Sequence, residues 1–251
     1  MNIEKLTDYQ CGPDLLCNRV ILITGAGDGI GASLARACAA HGATVVLLGR
    51  TTAKLEKVYD EIIAAGGPQP GIFVMDLEQT DLDSCNQLLE GLGETYGRLD
   101  GLVHNAGILG DRSPIEHFDV RTWQRVLHVN VTAAFILTRT LFPLLRESED
   151  ASIVFTSSGV GRAGKAYWGA YAVSKFATEG LMQILADETD DRALIRSNAV
   201  NPGATQTGMR RQAYPAENAE NLAAPETVLS PYLYLLGPES KGVNGVSFDA
   251  Q

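Results

Sequence analysis

SIVFTSSGVGRAGKAYWGAYAVSK, residues 152–175, reads in one passage as a strand, a loop and a helix. The apolar, β-rich run Ile153 to Thr156 stops at Ser157-Ser158, crosses a glycine-rich loop and enters a helical pattern carrying Tyr171 and Lys175. These two residues are four apart, so a helix sets them on one face with the ammonium one turn from the phenol. A free phenol titrates near ~10, and bringing it to about 7 requires roughly 4 kcal/mol of differential stabilisation. One cation at ~4 Å supplies about that much at an effective dielectric of ~20. The same spacing also describes an ordinary helix-surface pair. Ser158, 13 positions before Tyr171, adds a hydroxyl at the strand end, where serines also serve as plain loop or cap residues.

Upstream, Arg19 to Thr24 (RVILIT) is a continuous apolar run of the kind found in strands buried on both faces of a parallel sheet. TGAGDGIG follows, with Gly25, Gly27, Asp28, Gly29, Ile30 and Gly31 at the entry to a helix. Glycines there let the backbone turn and approach a pyrophosphate while the helix N-terminus aims its amides at the charge; glycine-rich turns also simply end strands. Further strands are expected at Ala43 to Leu48, Gly71 to Met75, Leu99 to His104, Leu194 to Val200 and Gly245 to Phe248. Helices are expected at 33–41, 54–65, 80–96, 123–145 and 169–187, with one more after Pro225 and a capping box of Thr80 with Asp83. The pattern predicts an α/β fold: a doubly wound, mostly parallel seven-stranded Rossmann sheet with helices on both faces, residues 1–251 forming one domain. Ligands then lie beyond the carboxyl ends of the strands.

Ser158, Tyr-x-x-x-Lys at Tyr171 and Lys175, Asn130 upstream, G-x-x-x-G-x-G at Gly25 to Gly31, Asn105-Ala106-Gly107 and Pro202-Gly203-x-x-x-Thr207 occur in this order. Together they resemble the single-domain short-chain dehydrogenases/reductases. The loop wording, Gly49-Arg50 and the FDAQ ending resemble their YciK-like bacterial branch. The resemblance implies a catalytic set of Asn130, Ser158, Tyr171 and Lys175. It also implies that Asp76, with Leu77 beside it, meets the adenine, although an Asx turn would equally place an Asp there. It implies that Asn105, Ala106 and Gly107 meet the cofactor ribose, and that Pro202, Gly203, Thr205 and Thr207 meet the nicotinamide and phosphates. Lys175 is expected to bind the nicotinamide ribose and lower the Tyr171 pKa, with Asn130 joining it to a water relay. An Asn within the apolar helix pattern independently suggests a bulge or a site. His104 is expected to be a core histidine, and residues 208–224 a mobile lid.

The net charge of −10 argues against nucleic acid as a partner. The first ten residues lack a secretory pattern and no apolar run reaches the ~18 residues of a membrane span, so a cytoplasmic protein without a membrane partner is expected. Cys11, Cys17, Cys38 and Cys85 show no metal-ligand spacing and are expected as buried, reduced thiols; no metal site is expected. Apolar residues beyond one sheet-facing stripe, among them Phe135, Phe142, Phe176, Leu181 and Met182, suggest a homotetramer or homodimer.

The function expected is interconversion of a carbonyl and an alcohol on a small-molecule substrate; a cofactor-binding regulatory protein with little or no catalysis is the alternative. Expected pocket residues are Gly159, Val160, Gly161 and Trp168. Arg162, Lys165, Arg210 and Arg211 could face an anionic substrate or serve as solvated surface charge. The cofactor choice turns on Gly49-Arg50. A carboxylate at the end of the second strand accepts from the ribose 2′-hydroxyl and repels a 2′-phosphate, whereas this chain offers Gly49 and then the planar guanidinium of Arg50. NADP(H) is therefore expected over NAD(H), by about ten- to hundred-fold. Gly49→Asp combined with Arg50→Ala is expected to reverse that preference when both reduced cofactors are titrated by fluorescence; an unchanged preference would refute the assignment.

Overall fold

Among the central strands, β2 (Val20–Thr24), β5 (Gly101–His104) and β6 (Ala151–Thr156) are buried at every position, as their unbroken apolar runs require. The computed structural model describes residues 2–189 and 194–251. Its other strands are β1 (Asn2–Lys5), β3 (Thr44–Gly49), β4 (Gly71–Val74), β7 (Ile195–Asn201) and β8 (Val246–Asp249). All pair in parallel in the order β1-β8-β7-β6-β5-β2-β3-β4. The chain runs outward from β2 to β4 and then returns to build β5 to β8 on the other side, so the order reverses between β2 and β5. That reversal opens a crevice at the strand carboxyl ends.

The sheet has eight strands where seven were expected. Asn2–Lys5 adds an edge strand on β8. Helices α1 (Gly29–Ala40), α2 (Thr52–Ala64) and α8 (Ser230–Leu236) cover one face, where Leu34, Leu55, Ile62, Tyr232 and Leu235 meet Ile21, Ile23, Val45 and Leu47. On the other face α3 (Leu82–Tyr96), α5 (Ala133–Arg146) and α6 (Gly169–Thr189) bring Leu88, Leu137, Leu141 and Met182 against Leu22, Val46, Leu102 and Ile153. Successive residues of each strand thus feed opposite cores, the period-two geometry that makes a doubly wound sheet so apolar.

Three local expectations are corrected. The box at the start of α3 is Asp81 with Ser84, because Asp81 has the extended conformation that lets its carboxylate accept from Ser84 N, while Thr80 bonds back to the Asp76 carbonyl. Cys38 and Cys85 are buried, but Cys11 is only partly so and Cys17 is exposed, since both precede β2 on the surface. The chain from α4 (Val120–Leu127) to α5 is one helical run of 27 residues that contains an 18-residue window of mean hydropathy 1.3, long and apolar enough by composition to span a membrane. Half of its apolar window is buried inside the protein, the pattern of a core helix.

Candidate active site

The site grows from the ends of β2, β5, β6 and β7. The β2–α1 turn needs glycine where the backbone enters left-handed space, at Gly25 (φ 69°) and Gly29 (φ 52°). Gly31 lies underneath: a Cβ there would fall 2.3 Å from the Gly25 carbonyl oxygen, so only glycine lets α1 pack against its own entry turn. Asp28 caps α1, accepting from Gly29 N at 2.8 Å and from Lys54 Nζ at 2.5 Å.

A cleft of about 520 Å³ runs along these strand ends. It is lined by Gly25, Gly27, Asp28, Gly29 and Ile30 from the turn, Arg50 after β3, Asp76 and Leu77 after β4, and Asn105, Ala106 and Gly107 after β5. Ser158, Tyr171 and Lys175 line its inner wall, and Pro202, Gly203, Thr205 and Thr207 face the turn from across it. A Cβ on Gly29 would approach Thr207 Cγ2 to 3.3 Å, so the two loops nearly meet over the cleft. The dimensions, the glycine cradle and the helix N-terminus fit a dinucleotide. Asp76 both lines the cleft and forms the Asx turn, accepting from Glu78 N at 3.1 Å. Sequence reasoning missed Lys54, which joins Arg50 in the lining, its ammonium on Asp28, but reads as a helix-surface lysine in sequence.

Of the expected catalytic and cofactor residues, two lie outside the lining. Gly31 supports the turn, and Asn130 lies behind the cleft. Asn130 occupies a π turn, His128–Thr132, which interrupts the long helix where the sequence placed the break. Its Oδ1 accepts from Ile108 N at 2.8 Å, and its Nδ2 donates to Ile108 O at 3.0 Å and Ser174 Oγ at 2.9 Å. No direct bond links it to Lys175.

Tyr171 and Lys175 are both buried on α6. Lys175 Nζ donates to the Thr156 carbonyl at 2.6 Å and stands 5.6 Å from the Tyr171 ring centroid. The expectation that lysine draws the phenol toward neutrality is not met in this cleft. Burial pushes Tyr171 up to about 12, against a smaller downward pull from the Ser158 hydroxyl. Burial also pulls Lys175 down to about 8, with Glu179 opposing it. Desolvation exceeds the pairwise attraction because the ammonium is spent on a carbonyl oxygen rather than held against the phenolate position.

Trp168 lines the cleft as expected, with Leu109, Met209 and Ala213; Gly159, Val160 and Gly161 do not, because their short helical turn folds back onto α6. Of the four cations, Arg162 is largely covered and ion-paired with Glu179 and Asp249 rather than solvated. Arg210 pairs with Glu217 at 2.5 Å, Lys165 Nζ reaches Tyr214 Oη at 3.5 Å and Arg211 is exposed. Residues 208–224 fold as α7 (Gly208–Ala213), capped by Thr207, and a 3-10 turn at Ala219–Asn221.

His104 is the core histidine expected. It is bonded to Thr138 Oγ1 at 2.8 Å and stacked on Phe155, and burial pulls it down to about 3.

The family model described as short chain dehydrogenase matches residues 19–218. The uncharacterized oxidoreductase YciK of Escherichia coli is 49% identical over 97% of this chain and 96% of its own length. A short chain dehydrogenase structure from Pseudomonas syringae is 56% identical, with a TM-score of 0.94 over 97% of this chain and 99% of that one. Another from Shigella flexneri, complexed with NADP, is 49% identical with a TM-score of 0.93 over 96% and 100% of the two chains.

The unfolded chain binds a proton on His104 near ~6.5, whereas the folded one resists until about 3. The stability His104 allows is therefore complete above the unfolded value and lost as pH falls below it, by up to ~1.4 kcal/mol per pH unit. Urea unfolding at about pH 7.5 and about pH 5 is expected to show His104→Gln losing about 2 kcal/mol less than the parent between those conditions. Equal losses would contradict this account.

Proposed function

This chain belongs to the short-chain dehydrogenase family and is an oxidoreductase of that family, and from that premise we propose that residues 1–251 form one catalytic domain that interconverts a ketone or aldehyde with an alcohol using NADP(H). The observation that carries the reading is the convergence of Ser158, Tyr171 and Lys175 on the inner wall of a cleft whose outer half is a glycine cradle. NADP(H) is supported by Arg50 and Lys54 in the cleft lining, by the lack of a carboxylate at Gly49, and by the Shigella relative's bound NADP. When bound, the nicotinamide supplies or accepts hydride.

The remaining steps belong to the protein. In reduction Tyr171 donates its proton to the carbonyl oxygen; a phenol pushed up to about 12 carries that proton throughout the neutral range, and its release is eased by the cation beside it. Ser158 donates a hydrogen bond to the same oxygen and opposes charge as it develops there. Lys175, with a pKa of about 8, is cationic at neutral pH and favours the phenolate left after proton transfer. Asn130 holds the Ile108 backbone and Ser174, fixing the wall behind these groups. A cofactor-binding regulatory protein would use Lys175 to hold the ribose, but would gain nothing from a buried phenol and a serine hydroxyl beside it at the strand end.

We place the protein in the cytoplasm, on its four free cysteines, as expected of a reducing compartment. A homotetramer or homodimer is the assembly we favour. Phe135 on α5 with Val173, Phe176 and Ile184 on α6 are 43–56% exposed, more apolar surface than scattered side chains account for. Met182, counted in that face from the sequence, is instead fully buried against the sheet. Light scattering at micromolar concentration is expected to give the mass of a dimer or tetramer, and a monomer would refute this assembly.

Tyr171→Phe is expected to keep cofactor affinity and to lower turnover in a carbonyl screen by roughly three orders of magnitude or more, the scale of a lost general acid with its hydrogen bond. Turnover near that of the parent would remove Tyr171 from the reaction.

A further inference from the structure

One turn beyond Lys175 on the same face of α6 stands Glu179, 1% exposed. A carboxylate this deep is costly unless it is bonded and charge-balanced. Its Oε1 accepts from Ser157 Oγ at 2.5 Å, Ser247 Oγ at 3.0 Å and Arg162 Nε at 3.4 Å, while Oε2 has no hydrogen-bond partner. Arg162 also donates to Asp249 Oδ1 and to Ser247 Oγ, both at 2.6 Å. Asn201 Nδ2 donates to Asp249 at 2.8 Å, and Asn201 Oδ1 accepts from Gly203 N at 3.1 Å. The network joins α6 to the ends of β6, β7 and β8. The loop that carries Arg162 lies on α6 at Lys175 itself, because a Cβ on Gly161 would fall 2.8 Å from Lys175 Cβ and 2.9 Å from its backbone.

We propose that Glu179 is a positioning residue of the reaction: its carboxylate keeps Lys175 in the ammonium form and, through Ser157 and Arg162, fixes the strand end that presents Ser158. This deepens the function proposed above and rests on it. Charge counting carries the argument. Arg162 serves two carboxylates and lies closer to the partly exposed Asp249, at 2.6 Å, than to Glu179, at 3.4 Å, so the buried carboxylate keeps negative charge that the ammonium one turn away on α6 is placed to balance. An ion pair that served packing alone could be replaced by apolar side chains at no loss, and would not need a surplus carboxylate aligned with a lysine.

The other groups around Lys175 do not supply this balance. Tyr171 is neutral, Asn130 from the π turn is uncharged, and His104 on β5 is held neutral by burial. Tyr232 on α8 is spent on Thr156 Oγ1 at 3.0 Å. The single ionisable residue of β7, Arg196, is paired with Asp150 at the opposite end of the strands, and on α4 Arg125 pairs with Glu78 while Arg121 is exposed. Glu179 is the group that pushes Lys175 upward against burial.

The test reads Lys175 directly, by carbon NMR of selectively labelled lysine against pH in the full chain, alongside NADPH titration and the pH profile of kcat. In Glu179→Gln the Lys175 midpoint is expected to fall by about one unit or more, NADPH affinity to stay within about threefold, and the alkaline limb of carbonyl reduction to move down with the midpoint. Glu179→Asp, which keeps the charge, is expected to restore most of the midpoint. An unmoved midpoint, or a kcat loss by one factor at every pH, would make Glu179 a packing residue and overturn the proposal. Where Glu179→Gln does not fold, Arg162→Gln gives the opposite sign: removing the competing cation raises the midpoint, and a fall or no change overturns the proposal. The lysine titration needs no turnover. A parent protein that reduces no carbonyl would therefore retire the proposed reaction, while the midpoint still judges Glu179.

Discussion

The hydroxyl of Thr24 accepts from Asn105 N and Ala106 N, both at 3.0 Å, and donates to the Val103 carbonyl at 3.1 Å. Asn105 Nδ2 returns a bond to the Thr24 carbonyl at 3.0 Å. These four bonds stand where β2 and β5 part and the order of the sheet reverses, so no further strand pairing is available to hold the two ends together. A side-chain hydroxyl with all its bonding capacity used does that work in a nearly solvent-free place, where an unmade bond is most costly. It also fixes the floor on which Gly25 turns and against which Gly31 packs, because the Cβ that Gly31 lacks would meet Gly25 O and Asn105 Nδ2 together. The shape of the cofactor end of the cleft follows from that joint.

Much of this was legible in the sequence because burial on both faces leaves unbroken apolar runs, and because glycines appear where backbone must meet backbone. RVILIT and SIVFT announce central strands by composition alone. NIEK at Asn2–Lys5 does not, since an edge strand needs only backbone partners and β8 supplies them from the far end of the chain. Arg162 and Glu179 were illegible for a related reason. An arginine in a loop and a glutamate in a helix resemble surface charges until the fold buries them against each other. Thr24 read as the last residue of a strand, and nothing local shows that its hydroxyl faces the neighbouring strand end. Lys54, Leu109 and Ala213 were hidden likewise, each joining the cleft from a separate element.

The balance of forces at Tyr171 shows what a pairwise estimate leaves out. A cation at ~4 Å in a dielectric of ~20 would bring a phenol close to neutrality, and the two residues are on one helix face as that estimate needs. The estimate assigns no cost to removing both groups from water. In the folded protein that cost acts on each in the direction of its neutral form, upward for the phenol and downward for the ammonium. The phenol therefore keeps its proton at neutral pH as a weaker acid, and its release depends on the cation beside it and on the charge developing on the acceptor oxygen. Charge must then be maintained from elsewhere, and buried Glu179, tied to the largely covered Arg162 and the partly exposed Asp249, is the source within reach.

Precision at the site comes from the break in the long helix. One residue too many in the turn His128–Thr132 widens it into a π turn, a costly irregularity that persists only where the surroundings enforce it. Asn130 then bonds both the N–H and the carbonyl of Ile108, as a neighbouring strand would, and so extends order into the loop after β5. Its remaining donor goes to Ser174, whose hydroxyl donates to the Tyr171 carbonyl at 2.7 Å. A regular helix would carry Asn130 through a different angle and break the link at its first bond. The chain from Ile108 through Asn130 and Ser174 to Tyr171 therefore makes the position of the phenol depend on the irregular turn, and it explains why an amide is placed in the middle of an apolar helix.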